Sequence, residues 1–332
     1  MSDFIFFNYA RSALYFGVKN LLLGQKNQSR KKILMPSYIC NTVIQPLKDN
    51  GLEIIYYNVN KNLSTNWEDL ESKIDSKIFA ILFVNYFGIL NEIDKYLSLK
   101  NKYDFFLIED SSHGYYGTYN KFKIGTIGDI SILSPRKNLP LQYGGVLKLN
   151  CVNYINDDYK KLSKEKFSAK NIFNYYLTYY FFKKKIILKK LLKFNFYNNF
   201  INNEIEDDIT YKKLDFFSKT IIKKFNWQKN SIKRIHNYNL WLEFALKNNF
   251  DTPYKNSLDF ENLSTPWCFP IIAKNDTQKK KIIKWTIDNN FLAFTWTSLP
   301  KNIQDPTAIY LSKFLICFST YSNPAKKIND IF

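Results

Sequence analysis

The sequence predicts an α/β protein, in which a large domain with a mostly parallel β-sheet is followed by a smaller α+β domain. Two observations support this prediction. From residue 31 to about residue 150, short apolar runs rich in β-branched and aromatic residues alternate with longer amphipathic runs, as in repeated strand and helix units. Beyond residue 215 this alternation gives way to a long helical stretch and a few strand-like pieces.

Six apolar runs predict the strands of the large domain. In chain order they are KKILMP, LEIIYYNVN, KIFAILFVNYF, FFLIED, DISIL and GVLKLN. Between them, TVIQPLKDNG, NWEDLESKI and EIDKYLSLKNKY place Val, Leu and Ile at helical spacing. The first of these helices ends at Asn50-Gly51, which is a helix-stop signal.

Residues 11–23, RSALYFGVKNLLL, predict a further helix that begins directly after an apolar segment, with Ser12 near its first turn. The backbone amides at the start of a helix attract anions, so this turn is a candidate phosphate site. A purely structural helix has the same pattern, and this segment alone does not separate the two interpretations.

The carboxy-terminal part predicts a connector and a small domain. From about residue 209, a helical stretch runs through KTIIKKFNWQKNSIKRIHNYNLWLEFAL. CFPIIAK and FLICFST then predict strands around a helix at QKKKIIKWTIDNN. We therefore expect the large domain over residues 1–215 and the small domain over residues 216–332.

Residues 157–200 have a different composition, in which lysines are interleaved with aromatic and aliphatic residues. Basic amphipathic helices of this kind bind anionic membrane surfaces. Helices of large oligomeric enzymes have the same composition, and we favour that interpretation over peripheral membrane contact.

The composition argues against several classes of protein. Cys40, Cys151, Cys268 and Cys317 form no CxxC pair, and the chain has only two histidines, so we expect neither a metal site nor a disulfide framework. No apolar run approaches the roughly 20 residues of a membrane-spanning helix. The first residues lack the features of a secretory signal, so we expect a cytoplasmic protein.

The formal net charge of +19 permits more than one interpretation. A basic surplus favours binding of nucleic acid or an anionic membrane. Here the lysines are scattered, and the abundance of Lys, Asn, Ile, Phe and Tyr is what an A/T-rich genome produces. A positive field would also suit an anionic substrate.

Two polar segments follow predicted strands. In FFLIEDSSHGYYG, Asp110 and His113 come at the end of one strand, and in GDISILSPRKNLPLQYGG, Ser134 and Lys137 follow another, ahead of paired glycines. The carboxyl ends of parallel strands are where α/β proteins bind ligands. Each segment alone is a weak signal, because an aspartate after a strand is often a cap and a lysine is usually solvated.

Taken together, these motifs are similar to those of the DegT/DnrJ/EryC1/StrS family of pyridoxal-phosphate aminotransferases. The shared order is ED-x-x-HG, then GD, then S-x-x-K, then GG. YARSAL resembles the family's phosphate-binding turn, MPSYICNTVIQPLKDNG its second strand and helix, FVNYFG the strand before the acidic one, and RIHNYNLW its interdomain helix. The resemblance implies a pyridoxal-phosphate transferase of fold type I, which is the aspartate-aminotransferase fold.

The resemblance also implies roles for individual residues. Lys137 would bind the aldehyde of pyridoxal 5'-phosphate as a Schiff base and then shuttle a proton. Asp110 would pair with the pyridinium nitrogen, and His113 would hydrogen-bond the phenolic oxygen. The other expected cofactor-binding residues are Arg11, Ser12 and Ser134 at the phosphate, Tyr38 against the ring, and Asn85 nearby.

The chain departs from the family pattern at two positions. The usual threonine of the phosphate turn is Arg11, and the glutamate before the paired glycines is Tyr143. Neither change removes a reacting group. Relatives that catalyse dehydration have a histidine in place of the lysine, so the presence of Lys137 favours transamination.

The first function hypothesis is a homodimeric aminotransferase that passes an amino group from glutamate to a nucleotide-linked keto-sugar for surface polysaccharide biosynthesis. The alternative within enzymes is a transaminase or decarboxylase acting on a small phosphorylated amino acid. The alternative from another class is a basic protein that binds nucleic acid or a membrane surface. The ordered motifs argue against it, because electrostatic binding does not require them.

Overall fold

The computed structural model of the chain describes residues 4–25, 27–90, 92–119, 122–151, 157–166, 210–259, 264–289 and 291–324. Most of the lysine- and aromatic-rich segment lies outside these ranges, so its proposed contact with a membrane or a partner stays a prediction. Within them, no helix is long and apolar enough to cross a lipid bilayer.

The amino-terminal half contains one large β-sheet. Its strands are β1 (Phe4–Phe7), β2 (Lys32–Pro36), β3 (Glu53–Tyr57), β4 (Ile78–Val84), β5 (Phe106–Ser111), β8 (Ile130–Leu133) and β9 (Gly145–Leu149), and a hairpin of β6 (Thr118–Tyr119) and β7 (Phe122–Lys123) stands apart. The seven strands lie in the order β1-β9-β8-β5-β4-β2-β3. All six predicted strands are present, and the apolar segment before the first helix is also a strand.

The sheet is mostly parallel. Strands β3, β2, β4, β5 and β8 all run in one direction, and β9 is antiparallel to both β8 and β1. The parallel strands therefore bring their carboxyl ends to one edge of the sheet, where a topology of this kind holds ligands.

Helices cover both faces of this sheet. The helices are α1 (Ala10–Gly24), α2 (Ile44–Lys48), α3 (Trp67–Ser72), α4 (Ile93–Lys102), α5 (Asp157–Lys161), α6 (Phe216–Lys224), α7 (Trp227–Lys247), α8 (Asp276–Asp288) and α9 (Pro306–Phe314). Neighbouring residues of β5 point to opposite faces. Leu107 packs in the core that contains α3, α4 and α6, and Ile108 packs in the core that contains α1 and α2.

The carboxy-terminal part has a small antiparallel sheet of β10 (Cys268–Ile272), β11 (Ala293–Thr295) and β12 (Leu315–Ser319), in the order β10-β12-β11. The predicted strands and helix of this part are present. The stretch predicted from about residue 209 contains two helices, because Asn226 leaves the helical conformation and caps α7 by accepting a hydrogen bond from the Lys229 amide. The boundary at residue 216 stays a prediction.

The small sheet is joined to the large one near the ligand-binding edge. Asp305, at the start of α9, accepts hydrogen bonds from Ser37 Oγ at 2.6 Å and from the Val59 amide at 3.1 Å. Ser37 and Val59 follow β2 and β3, so this buried carboxylate holds the small sheet against the edge where those strands end.

Candidate active site

Asp110 and Lys137, the two residues predicted to act on the reactive atoms of the cofactor, lie at the same sheet edge, at the ends of neighbouring strands. Asp110 is the fifth residue of β5, and it is in register with Ile132 of β8. Lys137 closes a one-turn 3-10 helix, Pro135–Lys137, that follows β8 directly. The sequence reasoning required these two chain segments to meet, and the parallel pairing of β5 with β8 brings them together.

Asp110 and its neighbour Glu109 face opposite sides of the sheet. Because Ile108 packs on the α1 side, Asp110 two residues later faces the same side. Its Oδ1 accepts one hydrogen bond, from the Ser112 amide at 2.9 Å, and the residue is partly exposed. This leaves the carboxylate able to accept a further hydrogen bond.

Glu109, by contrast, is fully buried, and its carboxylate accepts five hydrogen bonds. They come from the Asn85 amide group, the Ser111 and Ser131 hydroxyls, and the Gly125 and Ile127 backbone amides, at 2.7 to 3.2 Å. A carboxylate engaged in this way is not available to a ligand, so the structure assigns a structural role to the first acid of the pair.

His113 lies buried in an aromatic cage. Its ring is parallel to Phe87 at 5.6 Å and packs against Trp267 at 4.7 Å and Trp296 at 4.6 Å. Burial, with a smaller contribution from the charge of Lys137, holds the pKa of His113 well below its usual value. Nδ1 accepts the Phe87 amide at 3.0 Å, so the neutral ring carries its proton on Nε2 as a donor.

Lys137 is held next to a tryptophan of the carboxy-terminal part. Its Nζ lies 4.7 Å from the centre of the Trp267 ring, and its backbone amide donates to the Ser134 carbonyl at 3.0 Å. Sequence reasoning missed Trp267, because nothing in the segment before β10 indicates which distant residue it contacts.

The segment that carries Lys137 is fixed by a buried arginine of α7. Arg234 donates to the Asn138, Pro266 and Trp267 carbonyls at 3.2 to 3.3 Å and to the Thr320 hydroxyl at 2.8 Å. Its guanidinium stacks on the Tyr321 ring at 3.8 Å, and the Tyr321 hydroxyl donates to the same Asn138 carbonyl. Helix α7 thereby joins the residues that flank Lys137 to those that flank Trp267.

The first turn of α1 contains two of the residues predicted at the phosphate. Ser12 is buried, and its hydroxyl donates to Asn8 Oδ1 at 2.7 Å. Arg11 places its guanidinium 4.5 Å above the Tyr9 ring. The third predicted residue, Ser134, is buried beside the paired glycines, where its hydroxyl donates to the Gly144 carbonyl at 3.4 Å.

Arg136 is a further cation at this turn that sequence reasoning missed. Its guanidinium lies 5.4 Å from the centre of the Tyr9 ring, which Arg11 also contacts. The glycines explain how the segments come so close, because a Cβ at Gly145 would lie 2.1 Å from the Tyr9 carbonyl oxygen. A positive side chain directly before the lysine was visible in the motif, but its convergence with α1 was not.

Tyr38 and Asn85, also predicted at the cofactor, have other hydrogen-bond partners in this structure. The Tyr38 hydroxyl donates to the Trp296 carbonyl, and its ring packs edge-on against Trp296 at 5.1 Å. Asn85 donates to Glu109 and Ser111, while its Oδ1 is buried without a hydrogen-bond partner among the described residues. Whether either residue contacts a cofactor stays a prediction.

Known proteins resemble the chain in parts of its sequence and across its fold. Spore coat polysaccharide biosynthesis protein SpsC of Bacillus subtilis is 27% identical over 143 residues, which are 42% of this chain and 36% of that protein. GDP-4-keto-6-deoxy-D-mannose 3-dehydratase of Yersinia pseudotuberculosis is 28% identical over 118 residues, 35% of this chain and 29% of that protein. The chain thus matches about a third of the length of these relatives.

Similarity of structure extends further than similarity of sequence. The structure of Helicobacter pylori PseC, an aminotransferase involved in the biosynthesis of pseudoaminic acid, has a TM-score of 0.66 at 17% sequence identity, over 99% of this chain and 84% of that one. The predicted fold class, an α/β transferase of fold type I with a mostly parallel sheet, is therefore confirmed. Residues 5–163 match the model of the DegT/DnrJ/EryC1/StrS aminotransferase family, the family that the motifs of the chain resemble.

Proposed function

We propose that the chain is a pyridoxal-phosphate-dependent aminotransferase in which Lys137 holds the cofactor. One observation carries the proposal. The acid that would face the ring nitrogen, Asp110, and the amine that would hold the carbonyl carbon, Lys137, come from neighbouring parallel strands at a single sheet edge. The match of residues 5–163 to the family model supports the same activity.

The residues of the edge fit this cofactor. Asp110 has an unused accepting capacity on the face where α1 begins, and His113 is a neutral donor through Nε2. At the start of α1, the Arg11 Nε atom is buried without a hydrogen-bond partner among the described residues. The Asp110 carboxylate can therefore accept a hydrogen bond from the protonated ring nitrogen, and His113 can donate one to the phenolic oxygen. Arg11 can bind the phosphate of the cofactor.

Each residue then has a definite task. The bound cofactor would supply a ring that withdraws electrons from the substrate carbon. Asp110 would hold a proton on the ring nitrogen by its negative charge, and His113 would donate from Nε2 to the phenolic oxygen. Lys137 Nζ, once released by the amino donor, would act as a base that removes a proton from the substrate carbon and returns it. Arg11, Ser12 and Ser134 would hold the phosphate.

For the substrates we propose glutamate as amino donor and a nucleotide-linked keto-sugar as acceptor, in polysaccharide biosynthesis. The functions of the relatives favour this class, since one is a spore coat polysaccharide biosynthesis protein and another a dehydratase of a GDP-linked keto-sugar. The net charge of +19 suits a substrate with a diphosphate. A homodimer in the cytoplasm is part of the same proposal and rests on the family resemblance.

The test is the first half of the reaction. Purified protein loaded with the cofactor is incubated with L-glutamate, and the cofactor absorbance and the 2-oxoglutarate formed are measured. We expect the bound cofactor to lose its visible absorbance and one equivalent of 2-oxoglutarate to form per site. Neither change should occur in Lys137→Ala. Release of carbon dioxide without 2-oxoglutarate would favour decarboxylation, and no change with any amino acid would contradict the proposal.

A further inference from the structure

Two arginines converge on the first turn of α1, and no carboxylate of the described residues forms an ion pair with either of them. We propose that Arg11 and Arg136 together form a charged site for the dianion of a phosphate monoester. This inference rests on the proposed function, under which that phosphate belongs to the cofactor. Where the family's usual threonine would bind the phosphate through a neutral hydroxyl, these two arginines would bind it through ion pairs.

The convergence follows from the distances of both arginines to one ring. Arg11 and Arg136 come from segments that are far apart in the sequence, yet their guanidinium carbons lie 4.5 Å and 5.4 Å from the centre of the same Tyr9 ring. The two cations are therefore no farther apart than the sum of these distances. Burial lowers the pKa of Arg136, and the positive charge of Arg11 lowers it further.

The described residues supply no counter-charge for this pair. No carboxylate of the described residues lies within ion-pair distance of either arginine. The first turn of α1 has no acidic residue and no side-chain cap, so its backbone amides add positive potential. In addition, the Nε atoms of both arginines are buried and have no hydrogen-bond partner in the part of the chain that the structure describes. Two unbalanced charges with unsatisfied donors indicate a missing anion.

The other two arginines of the chain have acceptors for their terminal nitrogens. Arg30 forms an ion pair with Asp104 at 3.0 Å, although its Nε, like those of Arg11 and Arg136, is buried without a hydrogen-bond partner among the described residues. Arg234 uses its donors on carbonyl and hydroxyl oxygens, and an arginine normally finds acceptors of this kind because its donors are fixed in a fork. Within the described part of the chain, the pair at α1 differs from these two because neither of its guanidiniums has a carboxylate, carbonyl or hydroxyl acceptor.

A phosphate monoester fits this site better than a carboxylate does. Two guanidiniums, the amides of a helix start and the nearby Ser134 can satisfy three oxygens and two negative charges. Arg136 also directly precedes Lys137 in the same short turn, Pro135–Lys137. The same chemistry could be supplied by the diphosphate of a nucleotide-linked substrate, and the experiment separates these two sources.

The experiment compares two ligands that differ only in the phosphate. Protein stripped of cofactor is titrated with pyridoxal phosphate and with pyridoxal, and the ratio of their affinities is measured for wild type, Arg11→Gln, Arg136→Gln and Arg136→Lys. The matched control is Arg30→Gln, which removes an arginine whose charge is paired with Asp104. Circular dichroism confirms folding, and either glutamine variant alone is sufficient for the test.

We expect each glutamine variant to lower the ratio about tenfold or more, because a hydrogen bond to a charged group is lost, and we expect Arg136→Lys to recover part of it. The control should leave the ratio unchanged. An unchanged ratio in either glutamine variant that folds would overturn the inference. If, in addition, those variants weaken binding of uridine diphosphate to the cofactor-loaded protein, the pair serves the substrate and the cofactor assignment is wrong.

Inorganic phosphate separates failure of this inference from failure of the proposed function. Calorimetric titration of the stripped protein with inorganic phosphate should give binding that weakens in both glutamine variants. If neither pyridoxal compound binds but phosphate still does, with this dependence on the arginines, the anion site stands and the aminotransferase proposal falls. If the pyridoxal compounds bind and the affinity for phosphate is the same in both glutamine variants as in wild type, the aminotransferase proposal stands and the anion site falls.

Discussion

Replacing each of the adjacent acids Glu109 and Asp110 by its amide should have different effects. Glu109→Gln should lower the stability of the fold, and Asp110→Asn should lower the reaction rate. In Glu109→Gln, one carboxylate oxygen becomes an amide nitrogen that cannot accept hydrogen bonds. With that nitrogen in the place of Oε2, the Ser131 hydroxyl can turn to accept, but the Ile127 amide, now 3.0 Å from Oε2, loses its acceptor. The three bonds to the other oxygen also lose the assistance of the negative charge.

These losses set the size of the effect. A buried amide left without an acceptor costs about 1–3 kcal/mol, and weakening of the charge-assisted bonds adds to this cost. We therefore expect the free energy of unfolding to fall by about 3 kcal/mol, a large share of the total stability of a typical protein. Cofactor binding per folded molecule should be retained, because Glu109 faces away from Asp110.

Asp110→Asn should have the reverse signature. The hydrogen bond that Asp110 Oδ1 accepts from the Ser112 amide is available to an asparagine as well, so the free energy of unfolding should change by less than about 1 kcal/mol. The amide has no negative charge to hold a proton on the ring nitrogen, and the rate of the half-reaction with glutamate should fall about a hundredfold or more.

The assay combines urea denaturation, followed by fluorescence, with the rate of the glutamate half-reaction for both variants. Glu71→Gln is the control, because Glu71 is exposed and forms a long ion pair of 3.4 Å with Lys102, and it should leave both measurements unchanged. A Glu109→Gln variant as stable as wild type, or an Asp110→Asn variant that reacts at the wild-type rate, would refute the division of labour between the two acids.

Three further predictions follow from the packing around the edge. Gly145→Ala should reduce cofactor affinity and lower the melting temperature measured by calorimetry, since its Cβ would overlap the Tyr9 backbone at 2.1 Å; an unchanged value for both contradicts this. Arg234→Met should lower the free energy of unfolding in urea by about 3 kcal/mol because buried acceptors lose a charged donor, and a loss below about 1 kcal/mol would exclude the role assigned here. Because the pKa of His113 is lowered in the folded state from the value of 6.5, the unfolded chain binds more protons below that pH. Wild-type stability should then fall below pH 6.5 by up to about 1.4 kcal/mol per pH unit, and His113→Gln should lose this part of the pH dependence in urea titrations at pH 7 and pH 5.

The strands and the central acid–amine pair could be predicted because they depend on local pattern and on topology. Apolar runs separated by helices predict parallel strands, and parallel strands end at one edge, so Asp110 and Lys137 were expected to meet. The polar residues just after β5 and β8 carried this signal within short segments. No distant partner had to be identified.

What the sequence did not reveal depends on contacts between distant segments. Trp267 lies over Lys137 Nζ, and Arg136 meets Arg11 at Tyr9, but no periodicity connects these residues. The same limit applies to Tyr38, which lies near the position expected for the residue against the cofactor ring and whose hydroxyl donates to the Trp296 carbonyl. Such pairings are decided by how the carboxy-terminal part packs against the edge.

The position of the covalent link tests the central claim most directly. The protein loaded with pyridoxal phosphate is reduced with borohydride, digested and analysed by mass spectrometry. The account predicts that the phosphopyridoxyl group is found on the peptide containing Lys137 and is absent from Lys137→Ala. Labelling of another lysine, or equal labelling of Lys137→Ala, would contradict it.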